Sequence, residues 1–180
     1  MAKLQLDYAP QPKQQLLHST ACQQILFGGS AGGSKSHTLR WDLVTFCLLV
    51  PGLEAFLFRR TYGELFDNHI RPLLRELPKE AATYKVTQNL FEFANGSKII
   101  LAHCSDPLDY LRYMGAEFHI LAIDEASLFD PMQLIELRGR VRLGSFAKRV
   151  PKNVRPFLPR CLFASNPGGP AHSFLKRTFI

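Results

Sequence analysis

Residues 28–36 of the chain read Gly28-Gly29-Ser30-Ala31-Gly32-Gly33-Ser34-Lys35-Ser36, after an apolar run at 25–27 and before a predicted helix. Glycines let a backbone wrap a phosphate with its N–H groups pointing inward, and a helix N-terminus favours anions. Lys35 can contact the β- and γ-phosphates, and the Ser36 hydroxyl can ligate Mg²⁺. The segment predicts a site for ATP and Mg²⁺ built from Gly29, Ser30, Ala31, Gly32, Gly33, Ser34, Lys35 and Ser36.

Two glycine registers are compatible with this segment. The usual spacing, G-x-x-x-x-G-K-[ST] aligned on Lys35, requires glycine at positions 29 and 34, but position 34 is Ser. Alternatively, Gly28 and Gly33 form the pair and Ser34 is one extra residue before Lys35. Either register makes the loop a variant, and a Gly/Ser-rich surface turn is the alternative from these residues alone.

A second motif lies where an apolar run meets two acids. Residues 120–123 are all apolar, which is typical of a strand buried on both faces of a parallel sheet, and Asp124 and Glu125 follow directly. Two carboxylates at the end of a buried strand are costly unless something uses them. We predict that Asp124 holds Mg²⁺ opposite Ser36 and that Glu125 deprotonates a water attacking the γ-phosphate.

Two weaker polar motifs extend this prediction. The apolar run 161–164 ends in Ser165-Asn166, which can sense a γ-phosphate by hydrogen bonding, with an ordinary Asn-Pro turn as the alternative. Near the N-terminus, the Gln14 amide can donate to and accept from an adenine edge, and Tyr8 can pack on the base. The alternative for this N-terminal motif is a proline-rich segment before the first strand, with Gln14 exposed to solvent.

Basic charge is concentrated at the end of the chain. Ten of the 22 Lys and Arg residues lie beyond residue 136, and all 15 acidic residues lie at or before it. Such a cluster attracts nucleic acid, and the absence of Tyr and Trp from it favours contact with duplex phosphates over base stacking. Arg160 belongs to this cluster, and the predicted DNA-binding residues are Arg138, Arg140, Arg142, Lys148, Arg149, Lys152 and Arg155. The alternative is a solvated basic surface whose charge is neutralised by a C-terminal partner domain.

Alternating predicted strands and helices indicate a three-layer α/β fold with a mainly parallel sheet, whose strand C-termini bind ligands. Asn95-Gly96 predicts an antiparallel hairpin between two of the strands, 85–93 and 97–102. The other predicted strands are 23–27, 54–58, 118–124 and 160–165. The predicted helices are 12–21, 35–50, 62–77, 108–114 and 131–142, and 150–159 is a predicted loop.

Taken in order, these motifs resemble the ATPase domain of a tailed-bacteriophage terminase large subunit. The resemblance runs from about Tyr8 to the end of the chain and depends on the ordered set rather than on any one motif. The set is Tyr-x-Pro-x-Pro-Lys-Gln from Tyr8, the glycine segment after Phe27, Phe58-Arg59-Arg60-Thr61, Gly115-Ala116-Glu117-Phe118, Ile123-Asp124-Glu125-Ala126-Ser127 and Ser165-Asn166-Pro167-Gly168-Gly169.

The resemblance implies a P-loop NTPase fold of the RecA-like (ASCE) type and a motor that drives double-stranded DNA through a portal into a procapsid. It also implies that Gln14 reads adenine and that Ser165-Asn166 couples hydrolysis to movement. The implied partners are double-stranded DNA, the portal protein, the small terminase subunit and further copies of the chain in a ring. The implied location is the cytoplasm of an infected bacterium, at the portal vertex.

Two departures from the family pattern matter. Many members carry an arginine in the phosphate loop, where this chain has Ser30 and Ala31, so we expect an arginine from elsewhere. We predict Arg112 acting on a neighbouring subunit, with Arg60 in the same subunit as the second choice and Arg59 beside it. The family's nuclease domain has no counterpart after Gly169, so we expect one ATPase domain over 1–180, cut short at its end, and no nuclease activity.

Two other functions compete with the motor. One is a helicase-like or other nucleic-acid-dependent P-loop ATPase, although 180 residues leave no room for a helicase's second domain. The other is an inert DNA-binding or scaffold subunit that keeps the fold. No apolar run reaches the length of a membrane span. The four scattered cysteines disfavour a zinc site and fit reduced thiols.

Overall fold

The computed structural model describes residues 8–29, 32 and 34–180. Seven strands form one sheet in the spatial order β1-β7-β6-β2-β5-β4-β3. The first five strands in this order pair in parallel, and β3 and β4 add antiparallel pairings at one side. The strands are β1 (Gln24–Gly28), β2 (Glu54–Arg59), β3 (Ala82–Lys85), β4 (Leu90–Phe93), β5 (Lys98–His103), β6 (Ile120–Ile123) and β7 (Arg160–Ser165).

Helices cover both faces of this sheet. They are α1 (Pro12–Ser19), α2 (Lys35–Leu49), α3 (Tyr62–Leu65), α4 (Arg71–Glu76), α5 (Pro131–Arg138) and α6 (His172–Phe179). A π-helical turn, Phe66–Ile70, joins α3 to α4 without a break. Short 3₁₀ turns occur at Val86–Gln88, Asp109–Tyr113, Ala126–Leu128, Gly144–Arg149 and Arg155–Phe157.

Alternation along the strands divides the core into two layers. In β6, for example, Ile120 and Ala122 pack on the face covered by α2, whereas Leu121 and Ile123 pack on the face covered by α5 and α6. All four side chains are fully buried, because a parallel sheet covered on both faces leaves neither side exposed to water. The predicted three-layer α/β fold with a mainly parallel sheet and an added hairpin is confirmed.

Several predicted element boundaries were wrong. The predicted strand 85–93 is divided into β3 and β4 by a 3₁₀ turn that ends at Asn89 with φ of 51°. The predicted helix 131–142 ends at Arg138, because Phe118 and Val141 form a parallel bridge that draws the chain back to the sheet. The predicted helix 62–77 contains the π-turn, and 108–114 forms a 3₁₀ turn rather than an α-helix.

Arg160 was wrongly grouped with the exposed basic cluster. It is fully buried at the start of β7, where its Nε lies 3.1 Å from Asp42 Oδ2 and its Nη2 donates to the Leu17 carbonyl. This buried pair joins α1, α2 and β7 instead of facing solvent. Among the described residues, no helix is long and apolar enough to cross a membrane.

Candidate nucleotide site

The parallel strands bring the predicted site residues to one edge of the sheet. The chain leaves β1 at Gly28, β6 before Asp124 and β7 at Ser165, and these three strands are immediate neighbours. β2 lies on the other side of β6 and ends at Arg59. The site is therefore assembled at the carboxyl ends of four adjacent parallel strands, which is where open α/β sheets bind ligands.

The glycine segment connects β1 to α2, as predicted. Ser30, Ala31 and Gly33 lie outside the described residues, and Gly32 has a φ of 80° that favours glycine. Lys35 and Ser36 open α2, and Lys35 Nζ lies 3.3 Å from the Gly29 carbonyl oxygen. Helix α2 begins at Lys35, so its N-terminus, which favours anions, adjoins the loop.

Ser36 and Asp124 meet across the site. Ser36 Oγ donates to Asp124 Oδ2 at 2.7 Å, although 88 positions separate the two residues in the chain. Ser36 and Asp124 were predicted to lie on opposite sides of one Mg²⁺, and this contact brings both side chains to one point. Their direct bond links the start of α2 to the end of β6.

Asp124 is fully buried and accepts two further side-chain hydrogen bonds. His69 Nε2 lies 2.9 Å from Asp124 Oδ2, and Arg59 Nη1 donates to the same oxygen. Burial alone raises the pKa of Asp124, but the bonds from His69 and Ser36 and the charge of Arg59 together hold that pKa well below its usual range. Asp124 is therefore an ionised carboxylate at neutral pH.

His69 was not predicted from the sequence, and Arg59 was predicted only beside Arg60. His69 lies in the π-turn, and burial, together with the charges of Arg40 and Arg59, lowers its pKa more than the adjacent Asp124 carboxylate raises it. A single histidine in an amphipathic helical segment carries no sequence signal for this position. Arg59 ends β2, so its adjacency to β6 could be inferred only once the strand order was known.

These residues fit a magnesium ion. The Ser36 hydroxyl and the ionised Asp124 carboxylate supply the hard oxygen ligands that Mg²⁺ prefers. Within the described ranges, no group of three or more His, Cys, Asp or Glu side chains is placed to hold a metal. Mg²⁺ is commonly held by one or two protein oxygens and completes its shell with phosphate and water.

Glu125 lies beside this pair and contacts the β7 motif. Glu125 has left-handed backbone angles, φ 50° and ψ 47°, and its N–H donates to Asp124 Oδ1 at 3.1 Å. Asn166 Nδ2 lies 3.2 Å from Glu125 Oε1, and Ser165 Oγ accepts the Ser127 N–H at 3.1 Å. The predicted base, Glu125, thus contacts Asn166 directly, and Ser165 contacts the backbone of the turn that follows Glu125.

A cavity of about 420 Å³ runs along this edge. Its walls come from the glycine segment and the first turns of α2, from the π-turn and α4, and from the Glu125–Asn166 pair. The lining side chains include Lys35, Ser36, His37, Arg40, Asn68 and Glu125. Cations and polar groups line it on several sides, which suits a phosphorylated ligand.

Gln14 and Tyr8 make contacts within the protein, and Tyr8 meets His37 of the cavity wall. The Gln14 amide donates to Thr38 Oγ1 at 2.9 Å, and its oxygen accepts the Gln11 N–H at 2.8 Å. Tyr8 stacks on Trp41, with ring centroids 4.7 Å apart, and meets the edge of the His37 ring. The adenine contacts of both residues stay predictions.

The candidate arginines differ in what they contact. Arg60 donates to the Cys104 carbonyl at the end of β5, whereas its neighbour Arg59 reaches Asp124. The Arg112 side chain is 61% exposed, and its Nη2 lies 2.9 Å from the buried Asp109. Among Arg59, Arg60 and Arg112, Arg112 is the exposed one, and Asp109 holds its guanidinium.

The predicted DNA-binding residues lie near the amino ends of the parallel strands, at the edge of the sheet opposite the nucleotide site. Residues 139–159 precede β7 and contact the starts of β2 and β6, as in the stacking of Phe146 on His119 at 4.0 Å. Four of the arginines have partners on the protein: Arg138 on Gln24, Arg140 on Glu136, Arg142 on Glu117 and Arg155 on the Val150 carbonyl. Lys148, Arg149, Lys152 and Arg155 are exposed.

Comparison with solved structures identifies the fold. The large terminase of a thermophilic bacteriophage matches 93% of this chain with a TM-score of 0.70 and 18% identity. The Thermus phage P74-26 large terminase ATPase domain matches 91% with a TM-score of 0.59 and 17% identity. The N-terminal domain of the phi29 DNA packaging ATPase matches 93% with a TM-score of 0.53 and 14% identity.

This chain has the fold of a large-terminase ATPase domain. It spans 41% of the length of the thermophilic-bacteriophage terminase and 67% of the P74-26 domain. Structures of the former terminase include complexes with ADP and with ATP-γ-S. No protein-family model matches the sequence, and no curated protein matches it significantly.

The backbone at Ser34 favours one of the two glycine registers. Ser34 has φ 55° and ψ 21°, which is the left-handed region where glycine is preferred, and its side chain makes no cap hydrogen bond. Position 34 is the second glycine of G-x-x-x-x-G-K-[ST] in the Gly29 register. Ser34 therefore occupies the backbone place of that glycine.

Ser34→Gly tests this assignment. The variant should raise the free energy of unfolding by about 0.5–1 kcal/mol, because glycine adopts this conformation without the Cβ penalty. Ser34→Ala is the matched control, since it also removes the hydroxyl but keeps the Cβ, and its stability should stay near that of the parent. Urea unfolding of the three proteins measures the difference, and equal stabilities for the Gly and Ala variants would contradict the strained backbone.

Proposed function

We propose that this chain is the ATP-hydrolysing domain of a motor that packages double-stranded DNA into a viral procapsid. The main observation behind the proposal is the 2.7 Å hydrogen bond from Ser36 Oγ to Asp124 Oδ2, which joins the phosphate-binding segment to a buried, ionised carboxylate. Serine and aspartate in this relation hold Mg²⁺ on a triphosphate in P-loop ATPases. The fold shared with large-terminase ATPase domains supports the same function.

Glu125 is the proposed general base. Its carboxylate lies at the end of β6, lines the cavity and follows the proposed metal ligand directly. The attacking water forms a bond to the γ-phosphorus, the bond from that phosphorus to the bridging oxygen breaks, and Glu125 accepts the proton of the water. Bound Mg²⁺ would neutralise charge on the phosphate oxygens, and Ser36 and Asp124 would hold it.

Asn166 and Ser165 are the proposed coupling pair. Asn166 contacts the Glu125 carboxylate. Ser165 Oγ accepts the Ser127 N–H, in the 3₁₀ turn that follows Glu125. A movement of β7 would therefore reach the proposed base directly. Gln14 and Tyr8 are proposed to contact adenine after they exchange their present partners for the base.

Lys148, Arg149, Lys152 and Arg155 form the proposed DNA surface. All four are exposed in a segment without acidic residues, so they can contact phosphate groups along a duplex. They lie near the sheet edge opposite the nucleotide site. Hydrolysis at one edge and DNA contact near the other would be linked through the strands between them.

The assembled motor is proposed to act as a ring of copies at the portal vertex in the infected cell's cytoplasm. Its other partners are the portal protein and the small terminase subunit. Arg112 is the proposed arginine finger for the neighbouring subunit. The exposure of its side chain supports that role, and its guanidinium pairs with the buried Asp109 within the same subunit.

Glu125→Gln tests the chemistry. ATP binding should be nearly unchanged, whereas turnover should fall about a hundredfold or more, because the glutamine amide cannot accept the proton. Glu136→Gln, an acid on α5 away from the cavity, is the matched control and should keep full turnover. Steady-state phosphate release measures both. A parent protein without hydrolysis would favour the inert-scaffold alternative, and equal turnover of Glu125→Gln and parent would reject Glu125 as the base.

Charge reversal at Arg149 and Lys152 tests the DNA surface. Replacing both with Glu should weaken duplex binding and reduce the slope of log K against log salt by about 2, since each lost phosphate contact removes about one unit. ATP affinity should not change. Reversal of Arg75 and Lys79, two exposed cations in and just after α4, is the matched control. A parental salt slope in the Arg149/Lys152 variant would mean that this surface faces something other than DNA.

Arg112→Ala tests the finger in the assembled motor. This variant should bind ATP normally but lose roughly a thousandfold of ring hydrolysis, which is the contribution of an arginine finger. Mixing it with Glu125→Gln subunits should restore some activity, because a Glu125→Gln subunit can supply Arg112 to a neighbour that keeps Glu125. Failure to restore activity in rings shown to be mixed would contradict a finger acting between subunits. If Arg60→Ala lost ring hydrolysis and Arg112→Ala kept it, Arg60 would be favoured as the finger.

A further inference from the structure

We propose that His69 is a positioning residue of the hydrolytic site, holding the Asp124 carboxylate in the orientation that binds Mg²⁺. The inference rests on the proposed function, because it assigns a further residue to the same site. His69 is fully buried, and its Nε2 lies 2.9 Å from Asp124 Oδ2. It comes from a different part of the chain than the phosphate loop or β6, so neither sequence motif includes it.

Three donors converge on one oxygen of Asp124. Ser36 Oγ, Arg59 Nη1 and His69 Nε2 all donate to Oδ2, whereas Oδ1 receives the backbone N–H of Glu125. Ser36 must turn its oxygen towards a metal when it becomes a ligand, and its position then depends on that metal. Arg59 and His69 remain as the two side chains that hold the carboxylate independently of metal.

The hydrogen-bonding capacity of His69 indicates which nitrogen carries the proton. An ionised carboxylate only accepts, so Nε2 must donate. Nδ1 is buried and has no hydrogen-bond partner among the residues that the structure describes. A proton on Nδ1 would therefore be a buried donor without an acceptor, which is costly. His69 thus acts as a neutral imidazole with one proton, aimed at Asp124.

The π-turn sets the position of His69 relative to the cavity. Asp67 and Asn68 line the cavity, and the next residue, His69, points inward to Asp124. Arg40 of α2 donates to the Asn68 carbonyl at 2.6 Å and so ties this turn to the helix that begins at the phosphate loop. π-turns inside helices frequently occur at functional sites, and here the turn brings one buried donor to the proposed metal ligand.

Loss of His69 should act on the metal rather than on the nucleotide. Removal of a partner that orients a metal ligand typically costs 10–100-fold in metal affinity. The test measures binding of ATP-γ-S to the intact protein as the Mg²⁺ concentration is varied. His69→Leu should raise the Mg²⁺ concentration at half-saturation about 10–100-fold while leaving nucleotide binding without Mg²⁺ unchanged.

His119→Leu is the matched control for losing a buried histidine. His119 is 6% exposed and accepts the Glu54 N–H through Nδ1, at the sheet edge opposite the nucleotide site. Its substitution should leave the Mg²⁺ dependence at the parental value. An unchanged Mg²⁺ dependence in a folded His69→Leu protein would overturn the inference. A parent that shows no Mg²⁺-dependent nucleotide binding would instead reject the proposed function itself.

A second pair of variants applies if His69→Leu does not fold. Glutamine can place an amide N–H where Nε2 of histidine lies, whereas asparagine is too short and places it near Nδ1. His69→Gln should keep the Mg²⁺ concentration at half-saturation within about threefold of the parent. His69→Asn should raise that concentration about tenfold or more, because it no longer orients the carboxylate. Equal behaviour of the two variants would mean that the donor position is irrelevant and would overturn the inference.

Discussion

A buried negative charge at the end of β6 is the constraint on which the site depends. Asp124 has no contact with solvent, and an uncompensated carboxylate there would cost several kcal/mol. The compensation comes from Ser36 at the start of α2, Arg59 at the end of β2 and His69 in the π-turn. One carboxylate therefore fixes the relative positions of three separate segments, and two of them, the start of α2 and the π-turn, form walls of the cavity.

The parallel sheet separates the chemistry of the chain into two edges. Strand C-termini carry the phosphate loop, the adjacent carboxylates and the Ser165–Asn166 pair, whereas residues 139–159 near the other edge carry exposed cations. Buried polar contacts join the elements between them. The Arg160–Asp42 pair ties β7 to α2, and Asn166 at the far end of β7 touches Glu125. β7 is consequently the element through which the two edges would be connected.

The sequence was sufficient for features that depend on neighbouring residues. The glycine segment, the acids after an apolar run and the Asn95-Gly96 hairpin were all predicted, because local spacing determines them. Features set by tertiary contacts were not. Nothing in the sequence distinguishes buried Arg160 from the exposed arginines around it, marks His69 as a partner of Asp124, or separates Arg59 from Arg60. The division of 85–93 into two strands depends on Asn89, whose amide donates to the Leu101 carbonyl of β5.

A crystal structure of this protein with ATP-γ-S and Mg²⁺ tests the central claim most directly. The triphosphate should lie in the loop between β1 and α2, with Lys35 on its terminal phosphates. The metal should lie about 2.1 Å from Ser36 Oγ, which is the usual Mg²⁺–oxygen distance, and on the Asp124 side of the phosphates. A nucleotide bound away from this loop, or a metal held without Ser36 and Asp124, would contradict the account.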